Sequence, residues 1–287
     1  MQERSPRVAA IHDLSGFGRC SLSVILPTLS AMGVQVCPVP TAILSTHTGG
    51  LGEVVLRDLT DYIQPALEHY KSLRLDFECI YSGYLSGVEQ INHCLEFFAA
   101  YPGALRVVDP VMGDHGKPYR MCTEDMRRRM AELVHVANVI TPNITEVCML
   151  LKQEQIYDPL TTSQAKSVLA RLSELGPRYV VVTGVALAAG GLANIGYDRE
   201  RSAFWRVDCE YVPVSYPGTG DLYASVLTGG MLTGDSLPIA MDRASKFVEL
   251  AIKTTYSYGA DSRYGVMLEK TLGWLMRENI LKGYQTL

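Results

Sequence analysis

No two cysteines in this sequence have C-x-x-C spacing: Cys20, Cys37, Cys79, Cys94, Cys122, Cys148 and Cys209 stand singly, and seven leaves one over under any pairing. Zinc ribbons and a disulfide framework are disfavoured. Also missing is an apolar run of the roughly 18 residues that cross a bilayer, and Met1-Gln2-Glu3-Arg4-Ser5-Pro6 lacks the basic-then-apolar layout of a secretory leader. The expectation is a cytoplasmic protein with no membrane partner, in which the sequon Asn143-Ile144-Thr145 stays unmodified. Excess positive charge is absent as well. Lysine and arginine number 26 against 30 aspartate and glutamate, a net charge of −4, so no broad field holds a polyanion. The compact basic run Arg127-Arg128-Arg129 follows Glu124 and Asp125 on a helical stretch and reads as a solvated face. No nucleic-acid partner is expected. A small phosphate-bearing molecule stays open, because backbone amides and a metal ion can handle its charge locally.

What is present is an ordinary globular composition, 47% hydrophobic and 20% charged over 287 residues, enough to bury a core. Short β-branched runs alternate with stretches of helical period. Strands are predicted at 7–12, 34–39, 79–84, 106–109, 139–141 and 179–184, and helices at 21–32, 88–100, 123–136 and 163–175. Strand-like segments at 191–197 and 204–214 precede long helices at 218–233 and 236–258. Such alternation builds βαβ units. The fold class expected is α/β, a single domain over 1–287 forming a three-layer αβα sandwich around a central, mainly parallel sheet. The run Tyr179-Val180-Val181-Val182-Thr183 is predicted to be a central strand, and segment 112–118, rich in glycine and proline, a mobile loop or lid.

The most informative segment, Pro217-Gly218-Thr219-Gly220-Asp221, leaves a strand-rich region and opens a helix. Glycines there turn N–H groups outward and the helix start adds positive partial charge, a geometry that suits phosphate. Taken alone, Asp221 also fits a helix cap. Beside an anion cradle, a carboxylate can instead take the proton of an attacking hydroxyl. A second segment, Thr141-Pro142-Asn143-Ile144-Thr145-Glu146, ends a strand and starts a helix; by itself it too could be a capping arrangement. A third, Asp109-Pro110-Val111-Met112-Gly113-Asp114, puts a carboxylate at another strand end, where open α/β sheets bind ligands. Asp109, Asp114 and Glu146 could then gather oxygen ligands for Mg²⁺.

In these ordered motifs, spanning nearly the whole chain, the sequence resembles the ribokinase-like kinases, and within them the vitamin B6 (pyridoxal) kinases. The resemblance implies ATP as phosphoryl donor, with Gly218, Thr219 and Gly220 as the anion hole and Asp221 as the catalytic base. It implies that Asn143 and Glu146 serve ATP phosphate and Mg²⁺, and that Thr183 contacts ATP phosphates. Asp109, Asp114, Thr141 and Glu146 correspond to a cation site that could also take a monovalent ion such as K⁺, and His47, Thr48, Ser82, Gly83 and Tyr84 to the pocket for a pyridine ring. A homodimer is likewise implied only by resemblance.

The first loop departs from that pattern. Where pyridoxal kinases usually carry a Ser-His pair, Asp13 occupies the serine position, and Asp13-x-Ser15-Gly16-x-Gly18 instead resembles the hydroxymethylpyrimidine kinases of thiamine synthesis. Asp13 is expected to hydrogen-bond a ring substituent or ring nitrogen. The same Gly16-x-Gly18 does not make a dinucleotide fingerprint, because Ser21 stands where the third glycine belongs. Cys122 follows the lid where some relatives carry a reactive cysteine; a partly buried inert thiol is the plainer reading. His69, His93, His115 and His135 have no ligand spacing, leaving His115, in the lid, as the one to watch. A non-catalytic nucleotide or vitamer sensor on the same fold is disfavoured by intact Asp221, Asn143 and Glu146.

Overall fold

The computed structural model describes residues 4–120, 122–277, 281 and 283–287; Met121, inside the expected lid region, and the first three residues lie outside them. In chain order the elements are β1 (Arg7–Phe17), α1 (Leu22–Ala31), β2 (Gln35–Thr46), β3 (Leu56–Asp58), α2 (Thr60–Ser72), β4 (Cys79–Ser82), α3 (Val88–Ala100) and β5 (Leu105–Val108). They continue with β6 (Gly113–Asp114), β7 (Lys117–Pro118), α4 (Glu124–Val136), β8 (Val139–Ile140), α5 (Ile144–Leu150) and α6 (Thr162–Glu174). The chain closes with β9 (Tyr179–Ala186), β10 (Leu192–Asp198), β11 (Ala203–Cys209), α7 (Thr219–Leu232), α8 (Leu237–Ser257) and β12 (Tyr284–Thr286).

Ten strands form one sheet in the order β12-β11-β10-β9-β8-β5-β4-β1-β2-β3. Neighbours from β9 through β2 pair in parallel, while β3 at one margin and β10, β11 and β12 at the other pair antiparallel. Period-two alternation along β1 separates the two cores. Ala9 and Ile11 pack with residues of α2 to α6, whereas Val8 and Ala10 pack with residues of α1, α7 and α8. Val180, Val181 and Val182 are fully buried, as a strand covered on both faces requires. At roughly 1.5–3 kcal/mol per buried valine they hold β9, and Thr183 at its far end, firmly in register.

Several expectations need correcting, among them the strand predicted at 34–39, which runs to Thr46, and the one at 204–214, which ends at Cys209. The first strand does not stop at residue 12: it runs to Phe17, and its register against β2 shifts between His12 and Leu14. The glycine-rich segment expected as a mobile loop or lid folds as a small hairpin, β6 and β7, turning at His115 and Gly116, which both have positive φ. Helix α7 is buried all round from Asp221 to Gly230, which explains the absence of an amphipathic stripe in its sequence. Wedged between α1, α8 and the sheet, it is fixed at a defined height, and its N-terminus meets the C-terminal ends of the parallel strands. Among the described residues, no helix is long and apolar enough to cross a membrane.

Candidate active site

Gly218 precedes α7 with φ 79 and ψ 0, and a Cβ there would lie 2.2 Å from the carbonyl oxygen of Arg19. Only glycine fits. The chain thereby enters the helix with no side chain capping it, since the Thr219 hydroxyl donates backwards to Tyr216 O at 3.0 Å. The first amides of a 14-residue helix are left for an anion.

Asp221, in that first turn, does not cap. Its carboxylate reaches across to β1 and the loop before α1: His12 Nε2 lies 3.1 Å from Oδ1, while Oδ2 accepts from Ser21 N at 2.7 Å and Cys20 Sγ at 3.3 Å. Ser21 makes its bond from φ 58, ψ −140, a conformation that costs a non-glycine residue energy and is held by its surroundings. Burial alone would raise the Asp221 carboxyl, but the charge of His12, then the bonds from His12, Ser21 and Cys20, outweigh it and hold the group below the usual range. His12 responds in kind. Burial pushes its imidazole down, yet Asp221 and Asp13 carry it up to about 10. The result is a buried, ionised carboxylate in the same helical turn as the uncapped amides.

The strand ends supply further carboxylates, though not as one cage. Asp109 accepts from Thr141 Oγ1 at 2.9 Å. Glu146 is anchored by two backbone amides, Met112 N at 3.0 Å and Asn143 N at 2.9 Å. Asp114 rides out on the hairpin and accepts from His115 N at 2.7 Å. Among the described residues no three His, Cys, Asp or Glu side chains gather as a metal site, because these carboxylates are turned to separate partners. Asp109 and Glu146 still suit a cation. Neither forms an ion pair among the described residues; burial followed by the Asp221 charge raises Asp109 to about 7, and burial followed by the Asp109 charge raises Glu146 well above its ordinary range.

Asp109 should therefore weaken the fold at alkaline pH. Its folded pKa lies above its unfolded one, so stability falls as pH rises from about 4 to about 7 and stays low above it. Asp109→Asn, which can still accept from Thr141, is expected to raise the melting temperature at pH 8 by about 2–4 °C, the shift of roughly 1 kcal/mol in a chain of this size. The gain should shrink at pH 5; an equal gain at both values would contradict the assignment.

The capping reading of Asn143 is realised in full. Its Oδ1 accepts from Thr145 N and Glu146 N, closing a capping box, and Nδ2 donates to Gly113 O at 2.9 Å. Asn143 also bridges to Thr183, whose N–H donates to Pro142 O at 3.0 Å, so these two expected ATP contacts adjoin. Thr145 Oγ1 accepts from Gly116 N at 2.9 Å, so α5 and the hairpin form a connected unit. Tyr119, which carried no sequence signal, belongs to it through its N–H, which donates to Met112 O at 2.9 Å, and its ring is 42% exposed.

On the expected ring side, the Tyr84 hydroxyl is buried without a partner among the described residues, and burial followed by the Asp13 charge pushes it up to about 12. The Ser82 hydroxyl is likewise buried and unpartnered. His47 is turned inward, its Nε2 2.6 Å from Arg263 O and its Nδ1 accepting from Gly49 N at 3.0 Å, while Thr48 is exposed. Asp13 has protein partners that its sequence neighbours do not announce. Both of its oxygens serve the protein, Oδ1 lying 2.8 Å from His12 Nδ1 and Oδ2 accepting from Ser15 Oγ at 3.2 Å. Cys122 is half-buried, and burial pushes its thiol up, away from reactivity. His115 is exposed at the hairpin tip.

An open parallel sheet whose strand ends face a helix N-terminus, with a carboxylate beside the free amides, defines a small-molecule kinase. The chain belongs to the phosphomethylpyrimidine kinase family, which it matches over residues 25–266, within the ribokinase-like superfamily. It is 40% identical to a Bacteroides thetaiotaomicron protein assigned to the phosphomethylpyrimidine kinases and crystallised with pyridoxal, with a TM-score of 0.94 over 99% of this chain and 100% of that one. It is 30% identical to the pyridoxine/pyridoxal/pyridoxamine kinase of Bordetella avium, over 86% of this chain and 85% of that one. The thiamine biosynthetic bifunctional enzyme TH1 of Arabidopsis thaliana is 26% identical over 86% of this chain, which spans 46% of that enzyme's length.

Proposed function

We propose that this kinase transfers the γ-phosphoryl group of ATP to the 5′-hydroxymethyl group of a B6 vitamer, pyridoxal, pyridoxine or pyridoxamine. The observation that carries the reading is the pairing, within one turn of α7, of uncapped amides with the ionised Asp221 carboxylate. The vitamer class is supported by the pyridoxal-bound relative and by the Bordetella avium kinase.

The hydroxyl proton of the substrate passes to Asp221 as its oxygen bonds to the γ-phosphorus; the bond from that phosphorus to the β–γ bridging oxygen breaks, and ADP leaves with the electron pair. Amides around Gly218, Thr219 and Gly220 stabilise the charge on the moving group. Thr183 and Asn143 flank the phosphates, and Tyr84, His47 and Thr48 border the ring. Asp109 and Glu146 would hold the Mg²⁺ that accompanies ATP, which would supply neutralisation of phosphate charge. A monovalent ion would fall to the linked pair Asp109 and Thr141, since the hairpin turns Asp114 to His115 N. The hairpin, carrying Tyr119, excludes water. A homodimer is the assembly proposed, supported by the exposed Phe17, Ile43, Val55 and Leu56 near the β3 margin of the sheet, and the cytoplasm is the location proposed.

A second reading, phosphorylation of hydroxymethylpyrimidine, is favoured by the family match and by the Asp13-x-Ser15-Gly16-x-Gly18 loop. Initial rates with ATP, Mg²⁺, the three vitamers and hydroxymethylpyrimidine separate the two. The highest kcat/KM is expected on a vitamer; a higher value on the pyrimidine alcohol would replace the first reading by the second.

A further inference from the structure

His12 lies at the centre of a buried chain of groups that no phosphoryl-transfer role yet explains. It follows Val8 and Ala10 on the α7 face of β1 and is 2% exposed. Its ring sits between two carboxylates, Asp13 at Nδ1 and Asp221 at Nε2. The Asp13 N–H also lies 3.0 Å from Nδ1. The nearer carboxylate is the partner of a charged ring, so Nδ1 is assigned as a donor to Asp13. Gly83 gives the ring its space, because a Cβ there would lie 2.0 Å from His12 Cδ2. Tyr81 packs edge-on at 6.4 Å. The titratable groups facing the imidazole are thus Asp13 on its own strand, Tyr81 on β4, Asp109 beyond β5, Asp221 on α7 and, through Asp221, Cys20.

A carboxylate offers about four acceptor sites. On Asp221 three are filled: two on Oδ2, by Ser21 N and Cys20 Sγ, and one on Oδ1, by His12. The Cys20 thiol stays protonated, since burial and then Asp221 push it well up, so it donates. One acceptor site remains, on Oδ1.

Resting on the kinase reading above, we infer that His12 is a positioning residue for the base: backed by Asp13, it locks the Asp221 carboxylate so that the one free acceptor site of Oδ1 is the site that takes the substrate proton. Asp13 then acts through His12 and not on the substrate ring.

The test is a set of variants assayed with the alcohol that the wild type turns over best. His12→Leu removes the donor and should lower kcat by about 10²-fold, the usual effect of a misplaced catalytic group, while KM for ATP changes little. His12→Gln supplies an N–H in place of Nε2–H and should recover kcat to within about tenfold of wild type. Asp13→Asn should lower kcat about 3–10-fold with KM for the alcohol unchanged, and add nothing in the His12→Gln background, the non-additivity of groups acting in series. Wild-type turnover in His12→Leu, or Gln no better than Leu, overturns the inference. So does an Asp13→Asn effect that appears in KM for the alcohol and persists beside His12→Gln. If His12→Leu lacks the ADP-induced rise in melting temperature seen in the wild type, Asp13→Asn and the double variant decide. Failure of the substrate reading looks different: the wild type ignores every vitamer and the same variants are scored on hydroxymethylpyrimidine.

Discussion

Asp221→Asn should lower kcat by about 10²–10⁴, the usual size of a general-base contribution, while ADP still raises the melting temperature as it does for the wild type. The two effects separate because Asp221 side chain and helix amides do different work. The amide N–H groups at the start of α7 belong to the backbone and survive the substitution, so nucleotide binding survives too. What disappears is the acceptor on Oδ1. An asparagine that keeps its oxygen toward Ser21 N presents its NH₂ group to His12, donor against donor, and no lone pair faces the substrate. The fold tolerates the change because His12, no longer held charged by Asp221, can shed its proton. Near-normal turnover with intact nucleotide binding would remove Asp221 from the chemistry and leave the helix N-terminus as the only catalytic element.

How the site was legible from sequence differs residue by residue. Helix α3 has the bounds its periodicity predicts, and the valines of β9 are buried as an unbroken β-branched run implies. Gly218 and Asn143 were legible because a helix start imposes residue types on chain neighbours, whereas Asp221, which does not cap, was singled out by the resemblance of the ordered motifs. His12 was not legible. Its role depends on contact with a residue 209 positions away, and a register shift inside β1, between His12 and Leu14, breaks the periodic signal. The one available clue was parity: Val8, Ala10 and His12 fall on one face of β1. The protein partners of Asp13 were hidden for a related reason. A carboxylate at a strand end looks solvent- or ligand-facing in sequence, and only the inward turn of His12 shows where its oxygens go. The metal ligands were over-gathered, because sequence spacing brings Asp109, Asp114 and Glu146 to one edge of the sheet without revealing that backbone amides occupy Glu146 and that the hairpin carries Asp114 outward.

Gly218→Ala should be nearly as damaging as loss of the base, by a different route. At φ 79 an alanine costs roughly 1–2 kcal/mol from its backbone alone. The larger effect is steric. The new Cβ would meet Arg19 O at 2.2 Å and Cys20 Cα at 2.9 Å, backbone atoms that cannot rotate away. The segment from Arg19 to Ser21 must then move as a piece, and it carries both the Arg19 N–H bonded to Tyr264 O and the Ser21 N–H bonded to Asp221. One methyl group therefore disturbs the anion-binding amides and the carboxylate together. A fall in kcat of about 10²–10³ is expected, the cost of losing one oxyanion-stabilising donor, together with a raised KM for ATP and a lower melting temperature. Gly220→Ala is the control for stability. A Cβ there meets nothing within 4 Å and its φ is not positive, so alanine should leave the melting temperature unchanged or slightly higher. If Gly218→Ala melts and turns over like the wild type, the left-handed entry to α7 is not what sets the amides, and the anion site must be built by the rest of the loop.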